Sequence, residues 1–200
     1  MEAAALHAEE HHGPPPAHQS SRVKPQFLGM YLFIISEVMV FGAFFTAYFF
    51  IRVVGGAEWP HAGTELPKLI AGCNTMILVS SSFTIHYAQE CIKVDNRRGL
   101  QLGMTATFLL GLTFLFIQIN EYVHIGFAPQ DNADATIFFS LTGLHGAHVT
   151  IGLMLLTFVT IRSFRGHYSA EHHRGMEVPG IYWHFVDAMW IVVYFTVYIL

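Results

Sequence analysis

Five long apolar segments, separated by short polar connections, constrain this chain more than any other feature of its sequence. They cover residues 26–52, 66–92, 100–125, 136–161 and 181–200. Each is about long enough to cross the ~30 Å hydrocarbon core of a bilayer as a helix. The chain is 53% hydrophobic and only 12% charged, whereas charged residues make up about 25% of an ordinary soluble domain. The sequence therefore predicts an all-α polytopic membrane protein, with a bundle of five transmembrane helices over residues 26–200.

Residues 1–25 differ from the rest of the chain because they are polar and contain the proline run 14–16. Four histidines lie among them: His7, His11, His12 and His18. A segment of such low hydrophobicity cannot bury enough apolar surface to fold, so we expect a disordered tail rather than a metal site.

Charge and cysteine content argue against two other classes of protein. A net charge of −4 gives no sign of a nucleic-acid partner. Cys73 and Cys91 are about 27 Å apart along one predicted helix, which is too far for a disulfide. Neither belongs to a closely spaced pair of the kind that holds a thiolate metal centre.

The positions of Lys and Arg predict the orientation, because basic loops stay on the cytoplasmic side. Eight of the ten basic residues fall on one side: Arg22, Lys24, Lys93, Arg97, Arg98, Arg162, Arg165 and Arg174. Arg52 and Lys68 fall on the other side. We therefore expect the N-terminus inside and the C-terminus outside.

Ionisable side chains that lie inside predicted spans are costly unless they face protein, and Glu37, His184 and Asp187 are such side chains. Glu37 is about 16 Å from the inner end of the first span. It is either a protonated, hydrogen-bonded packing group or a proton-linked group, and both interpretations stay open. His184 and Asp187 are three residues apart on one helical face, so we expect both to point into the bundle.

The fourth span contains His145 and His148 on one face, in the segment GLHGAHVTIG. Two histidines could ligate haem or copper, but His148 is about 21 Å from the inner side whereas His184 is about 5 Å from it. This difference in depth favours hydrogen bonding between helices over a metal site. Glu37 and His148 have similar depths, so we predict a hydrogen bond between them.

Other polar and small residues of the spans predict packing rather than chemistry. Gly143, Gly146 and Gly152 would allow close approach of a neighbouring helix, and the run of serines at 80–82 would join helices by hydrogen bonds. The polar group around Gln118 and Glu121 lies near the outer interface, where polar side chains are common.

Four segments, in order, resemble the cytochrome c oxidase subunit III family in its short five-helix bacterial form. They are LFIISEVMVF, EYVHIGF, GLHGAHVTIG and HHRGMEVPGIYWHFVD, and the resemblance runs from about residue 26 to residue 200. The typical long form has seven helices, and its lipid cleft would be incomplete in a form that lacks the first two.

The resemblance implies a non-catalytic subunit of a terminal respiratory oxidase in the bacterial cell (inner) membrane. Oxidase subunits I and II would be its partners. Haem and copper would lie in the large subunit and further copper in subunit II, with no metal in this chain. Its roles would be to support stability, proton uptake and oxygen access. Glu37 matches the family's buried carboxylate near the oxygen route, and Arg162 matches a basic residue that meets a phospholipid phosphate.

Other functions fit parts of the same pattern. A related subunit could accompany a quinol oxidase or a nitric oxide reductase. A small proton-coupled carrier could use Glu37, although the inverted repeats common in carriers are not visible. A membrane cytochrome could use His145, His148 and His184, and would show a haem absorption band.

Overall fold

The computed structural model describes residues 25–55, 66–170 and 174–200, which form five long helices. The helices are α1 (Pro25–Gly55), α2 (Lys68–Lys93), α3 (Arg97–His124), α4 (Ala133–Phe164) and α5 (Arg174–Tyr194), with a π-helical turn at Phe195–Ile199 after α5. All five are long and apolar enough to cross a membrane. The all-α, five-helix membrane fold is therefore confirmed, whereas the predicted tail lies outside the described residues except for Pro25.

Side-chain caps place the first residues of α3 and α4 three residues earlier than the hydropathy pattern does. The side-chain oxygen of Asn96 accepts a hydrogen bond of 3.1 Å from the amide of Gly99. The side-chain oxygen of Asn132 accepts a hydrogen bond of 2.7 Å from the amide of Ala135. Both bonds satisfy amides that have no partner within the helix, so the helices extend beyond their apolar cores.

The start of α5 differs most from the sequence pattern, which placed the last span from residue 181. In the structure α5 begins at Arg174 and contains Pro179. Proline has no amide to donate to the carbonyl of Gly175. Gly175 lies in the first turn of α5 and is exposed, a position at which a helix tolerates the loss of one hydrogen bond.

The helices pack around α5, which contacts α1, α2 and α4. Antiparallel α2 and α3 form the most extensive pair. A Cβ atom on Gly103 would lie 2.7 Å from the Cβ of Ala88 and 2.9 Å from the Thr84 carbonyl oxygen, so these two backbones approach closely. The end where α2 and α4 finish and α3 begins is called the basic end, because it carries Lys93, Arg97, Arg98, Arg162 and Arg165.

One glycine of α4 makes the close approach that the sequence predicts, and two do not. A Cβ on Gly152 would lie 2.8 Å from Cε3 of Trp183, whose indole also lies against Gly111 of α3. Gly143 and Gly146 have nothing within 4 Å of such an atom. The described helices therefore do not use these two glycines for close packing.

Candidate functional site

Glu37 of α1 and His148 of α4 meet in the interior of the bundle. Oε2 of Glu37 lies 3.0 Å from Nε2 of His148, and the two side chains are 20% and 8% exposed. This contact confirms the hydrogen bond predicted from the depths of the two residues.

Hydrogen bonding at the other ring nitrogen defines how many protons the pair holds. Nδ1 of His148 lies 2.8 Å from the carbonyl oxygen of Leu144, which only accepts, so Nδ1 carries a proton and donates it. Nε2 then either accepts a proton from a neutral Glu37 carboxyl or donates one to its carboxylate. The pair thus shares a single proton and has no net charge in either form, which suits a membrane interior.

Aromatic side chains surround this pair. The ring centroids of Phe41 and Phe185 lie 5.1 and 6.3 Å from that of His148. The hydroxyl of Tyr182 donates to the carbonyl oxygen of His148 at 3.2 Å. Contacts from α1, α4 and α5 therefore fix the position of the imidazole. The side chain of Glu37 remains partly exposed.

His184 and Asp187 share one partner, Ser82 of α2. The Ser82 hydroxyl donates a short hydrogen bond to Oδ2 of Asp187 and lies 3.1 Å from Nδ1 of His184. Asp187 is only 4% exposed, as expected for a side chain that points into the bundle. Its Oδ1 atom has no hydrogen-bond partner among the described residues.

Two tryptophans extend this contact between α2 and α5 in both directions. Nε1 of Trp183 donates to the hydroxyl of Ser81 at 2.8 Å, and Nε1 of Trp190 donates to that of Thr75 at 2.9 Å. The hydroxyls of Thr75, Ser81 and Ser82 therefore bond across helices, in agreement with their predicted packing role. The prediction is wrong for Ser80, whose exposed hydroxyl bonds only to the Met76 carbonyl of its own helix.

His145 lies apart from the other intramembrane histidines, although it follows the same face of α4. Its ring is fully buried, with centroids 4.7 Å from the Trp190 ring and 5.7 Å from the Phe114 ring. Neither ring nitrogen has a hydrogen-bond partner within the described part of the chain. His145, His148 and His184 thus occupy three separate environments.

No group of three or more His, Cys, Asp or Glu side chains with the geometry of a metal site occurs in residues 25–55, 66–170 and 174–200. The tail histidines fall outside these ranges. Cys73 and Cys91 are free thiols.

Arg162 lies near the last turn of α4, exposed at the basic end. Its guanidinium carbon lies 5.5 Å from the centroid of the Phe158 ring and 5.8 Å from that of Tyr168. Burial raises the pKa of the Tyr168 hydroxyl, an effect that the nearby Arg162 charge opposes. Tyr168 therefore remains a neutral aromatic support for the cation.

A buried polar cluster near the end of α3 was not predicted from the sequence. Gln118 and Glu121 are 1% and 6% exposed, and the hydroxyl of Tyr198 donates to Oε1 of Glu121 at 2.6 Å. The spacing of three residues between Gln118 and Glu121 puts them on one helical face, and this pattern could have indicated burial. Tyr198 could not be found that way because it comes from another helix.

The structure thus defines a polytopic helical membrane protein in which Glu37, His184 and Asp187 hydrogen-bond to side chains of other helices. Comparisons with known proteins give its family. A family model described as cytochrome c oxidase subunit III matches residues 13–200. A cytochrome c oxidase subunit 3 of Thermostichus vulcanus is 43% identical over 174 residues, which cover 86% of this chain and 86% of that protein.

Other relatives give the same result. The cytochrome c oxidase subunit 3 of a Synechocystis species is 42% identical over 195 residues, covering 96% of this chain and 80% of that protein. The Homo sapiens protein of the same name is 36% identical over 193 residues, covering 94% of this chain and 72% of its own length. The chain belongs to the cytochrome c oxidase subunit III family.

Proposed function

We propose that this chain is the subunit III of a haem-copper respiratory oxidase and carries no redox centre of its own. Oxygen reduction would take place in subunit I, which holds haem and copper, with electrons delivered through the copper of subunit II. Membership of the subunit III family supports this assignment. The separation of His145, His148 and His184 supports a non-catalytic role for the chain.

The observation that carries the proposed role is the pairing of Glu37 with His148 at 3.0 Å. The pair holds one shared proton within the membrane without net charge, so that proton can pass between Glu37 and His148 at low electrostatic cost. Glu37 lies on α1, whose neighbouring residues Val38 and Met39 are 47% and 72% exposed. The pair would therefore lie close to the surface on which a neighbouring oxidase subunit packs, where it supports proton supply, oxygen access and stability.

Arg162 is proposed to bind a phospholipid phosphate at the basic end. Aromatic rings hold its guanidinium by cation–π contacts, which leaves its N–H groups free to donate to phosphate oxygens. The chain would span the bacterial cell (inner) membrane with the basic end inside.

Replacing Glu37 tests the proposed role. A Glu37→Gln amide can donate to Nε2 of His148 and keeps the packing, but it removes the exchangeable acid proton. We expect this variant to assemble and to begin turnover at the wild-type rate, then to lose activity over fewer cycles. Glu37→Ala leaves Nε2 of His148 without a partner, which costs about 1–3 kcal/mol of stability.

The measurement is oxygen consumption by the assembled complex, followed from the first seconds to inactivation, with subunit content determined in parallel. Glu90→Gln is the matched control, because Glu90 is an exposed carboxylate that pairs with Lys93 at 2.5 Å. Immediate loss of nearly all turnover in a fully assembled Glu37→Gln complex would mean that Glu37 acts in the chemistry itself. Identification of the co-purifying chains and an optical spectrum would separate a cytochrome c oxidase from a quinol oxidase or a nitric oxide reductase.

A further inference from the structure

Two grooves share Leu102 near the basic end, on the face of the bundle formed by α3, and Arg98 lines one of them. Arg98 is exposed there, and Leu102, one turn further along α3, is 70% exposed and forms a ridge. The α2–α3 groove, of about 330 Å³, lies on one side of this ridge. The α3–α4 groove, of about 380 Å³, lies on the other side, and Leu102 lines both.

The walls of both grooves are mostly apolar below Arg98. Phe83, Tyr87 and Ala106 line the α2–α3 groove. Beyond Phe164 the α3–α4 groove continues into a further space of about 230 Å³ lined by Phe108 and Ile161, among others. The hydroxyl of Thr84 bonds to the Ser81 carbonyl at 2.9 Å and that of Thr157 to the Leu153 carbonyl at 2.7 Å. The hydroxyl oxygens of Thr105 and Thr160 have no partner among the described residues, but they are buried beneath the groove surface. The grooves therefore suit hydrocarbon.

The charge at the top of the grooves has no partner in the described part of the chain. Arg97, the neighbouring residue, lies 3.7 Å from the carboxylate of Asp95. Arg98 makes no ion pair with any described residue, so its guanidinium is available to an external anion. A guanidinium binds phosphate well because its N–H groups form two parallel hydrogen bonds.

The length of the grooves matches one leaflet. Ala106 and Phe108 lie eight and ten residues after Arg98, which corresponds to about 12 and 15 Å along the helix axis. Half of the ~30 Å hydrocarbon core of a bilayer is about 15 Å. The grooves thus run from the headgroup level at Arg98 to about the middle of the membrane.

We propose that an anionic glycerophospholipid binds here, with its phosphate at Arg98 and one acyl chain in each groove, on either side of Leu102. Two apolar grooves that share Leu102, one helical turn from a cation without a partner among the described residues, fit an amphiphile with one anionic head and two chains. This site is separate from Arg162, which is held by Phe158 and Tyr168, and it does not depend on the role proposed for Glu37.

The test uses the oxidase complex purified through this chain, delipidated, and titrated with dioleoyl-phosphatidylglycerol or dioleoyl-phosphatidylcholine. Native mass spectrometry that releases this chain counts the lipids it retains. We expect Arg98→Gln to bind one phosphatidylglycerol about tenfold more weakly, as for one lost charge-assisted contact. Arg97→Gln is the matched control, since it removes the same charge one residue away and should retain the lipid.

A second pair of variants tests the grooves. Ala106→Phe fills the α2–α3 groove and should lower the occupancy of both lipids. Leu109→Phe adds a similar ring at a residue that is 54% exposed and lines neither groove, so lipid occupancy should not change. Equal loss of phosphatidylglycerol in Arg98→Gln and Arg97→Gln would overturn the proposal. Equal binding of the two lipids by the wild type would also overturn it, and so would displacement of the lipid by inorganic phosphate alone. A third contrary result is that the chain retains no phosphatidylglycerol because another subunit covers this face.

Discussion

Glu37 and His148 show how far residue depth alone can predict a contact. The two residues are 111 positions apart in sequence, and their depths within two different spans were sufficient to expect a hydrogen bond. The sequence did not indicate which ring nitrogen Glu37 would meet. That choice depends on the carbonyl of Leu144, which accepts from Nδ1 at 2.8 Å and leaves Nε2 for the carboxyl.

Ser82 provides a test of the second polar contact at the residue scale. Ser82→Ala removes the hydrogen-bond partner of Oδ2 of Asp187 and of Nδ1 of His184. A buried polar group left without a partner costs about 1–3 kcal/mol. We expect a lower midpoint of thermal unfolding for the purified chain, measured by circular dichroism in detergent.

Ser80→Ala is the control, because the Ser80 hydroxyl bonds only to the Met76 carbonyl one turn earlier, at 2.7 Å. Its midpoint should stay within error of the wild type. Equal midpoints for Ser82→Ala and Ser80→Ala would show that the contact of Ser82 with Asp187 and His184 contributes nothing to stability.

At the scale of elements, Trp183 fixes how α3, α4 and α5 approach each other. Its indole is fully buried and occupies the space that side chains at Gly111 and Gly152 would need. Gly152→Ala would force the ring or the helices apart, and overpacking of this kind costs about 1–3 kcal/mol. Thermal unfolding of the variant should show a destabilisation in this range.

Gly143→Ala is a matched change on the same helix with the opposite expectation. No atom lies within 4 Å of the added Cβ, and alanine favours a helix by about 1 kcal/mol relative to glycine. Gly143→Ala should therefore be neutral or slightly stabilising. If both alanine variants behaved alike, close packing of Trp183 on Gly152 would not be a source of stability.

The helices themselves could be predicted far better than their ends. Hydropathy locates the middle of each helix because the bilayer imposes the same requirement on every span. Their ends depend on local groups, such as the Asn96 and Asn132 caps, and on the tolerance of α5 for Pro179. These interactions involve single hydrogen bonds, which a hydropathy pattern does not contain.

At the scale of the whole molecule, the distribution of basic residues predicts how the bundle crosses the membrane. Val94, between α2 and α3, is 77% exposed, and Gln130, between α3 and α4, is exposed at the opposite end. We expect an impermeant maleimide to label Gln130→Cys in intact cells and Val94→Cys only after permeabilisation. Both variants would be made with Cys73 and Cys91 replaced by alanine.

The cysteine-free chain, which should not react on either side, is the control for this labelling. Labelling of Val94→Cys in intact cells, with Gln130→Cys protected, would reverse the orientation. It would also place the groove below Arg98 in the outer leaflet.

The sequence by itself determined that this protein spans the membrane five times, which side chains are costly there, and the depth of each. These properties are local, since the length and apolarity of a segment decide whether it can cross the bilayer. Only the tertiary structure decided which faces meet. His145 and His148 share a face of α4, yet one packs between Trp190 and Phe114 while the other binds Glu37. Partners from distant helices are selected by the rotation and packing of whole helices, because small residues, indole rings and interhelical hydrogen bonds must all be accommodated at once.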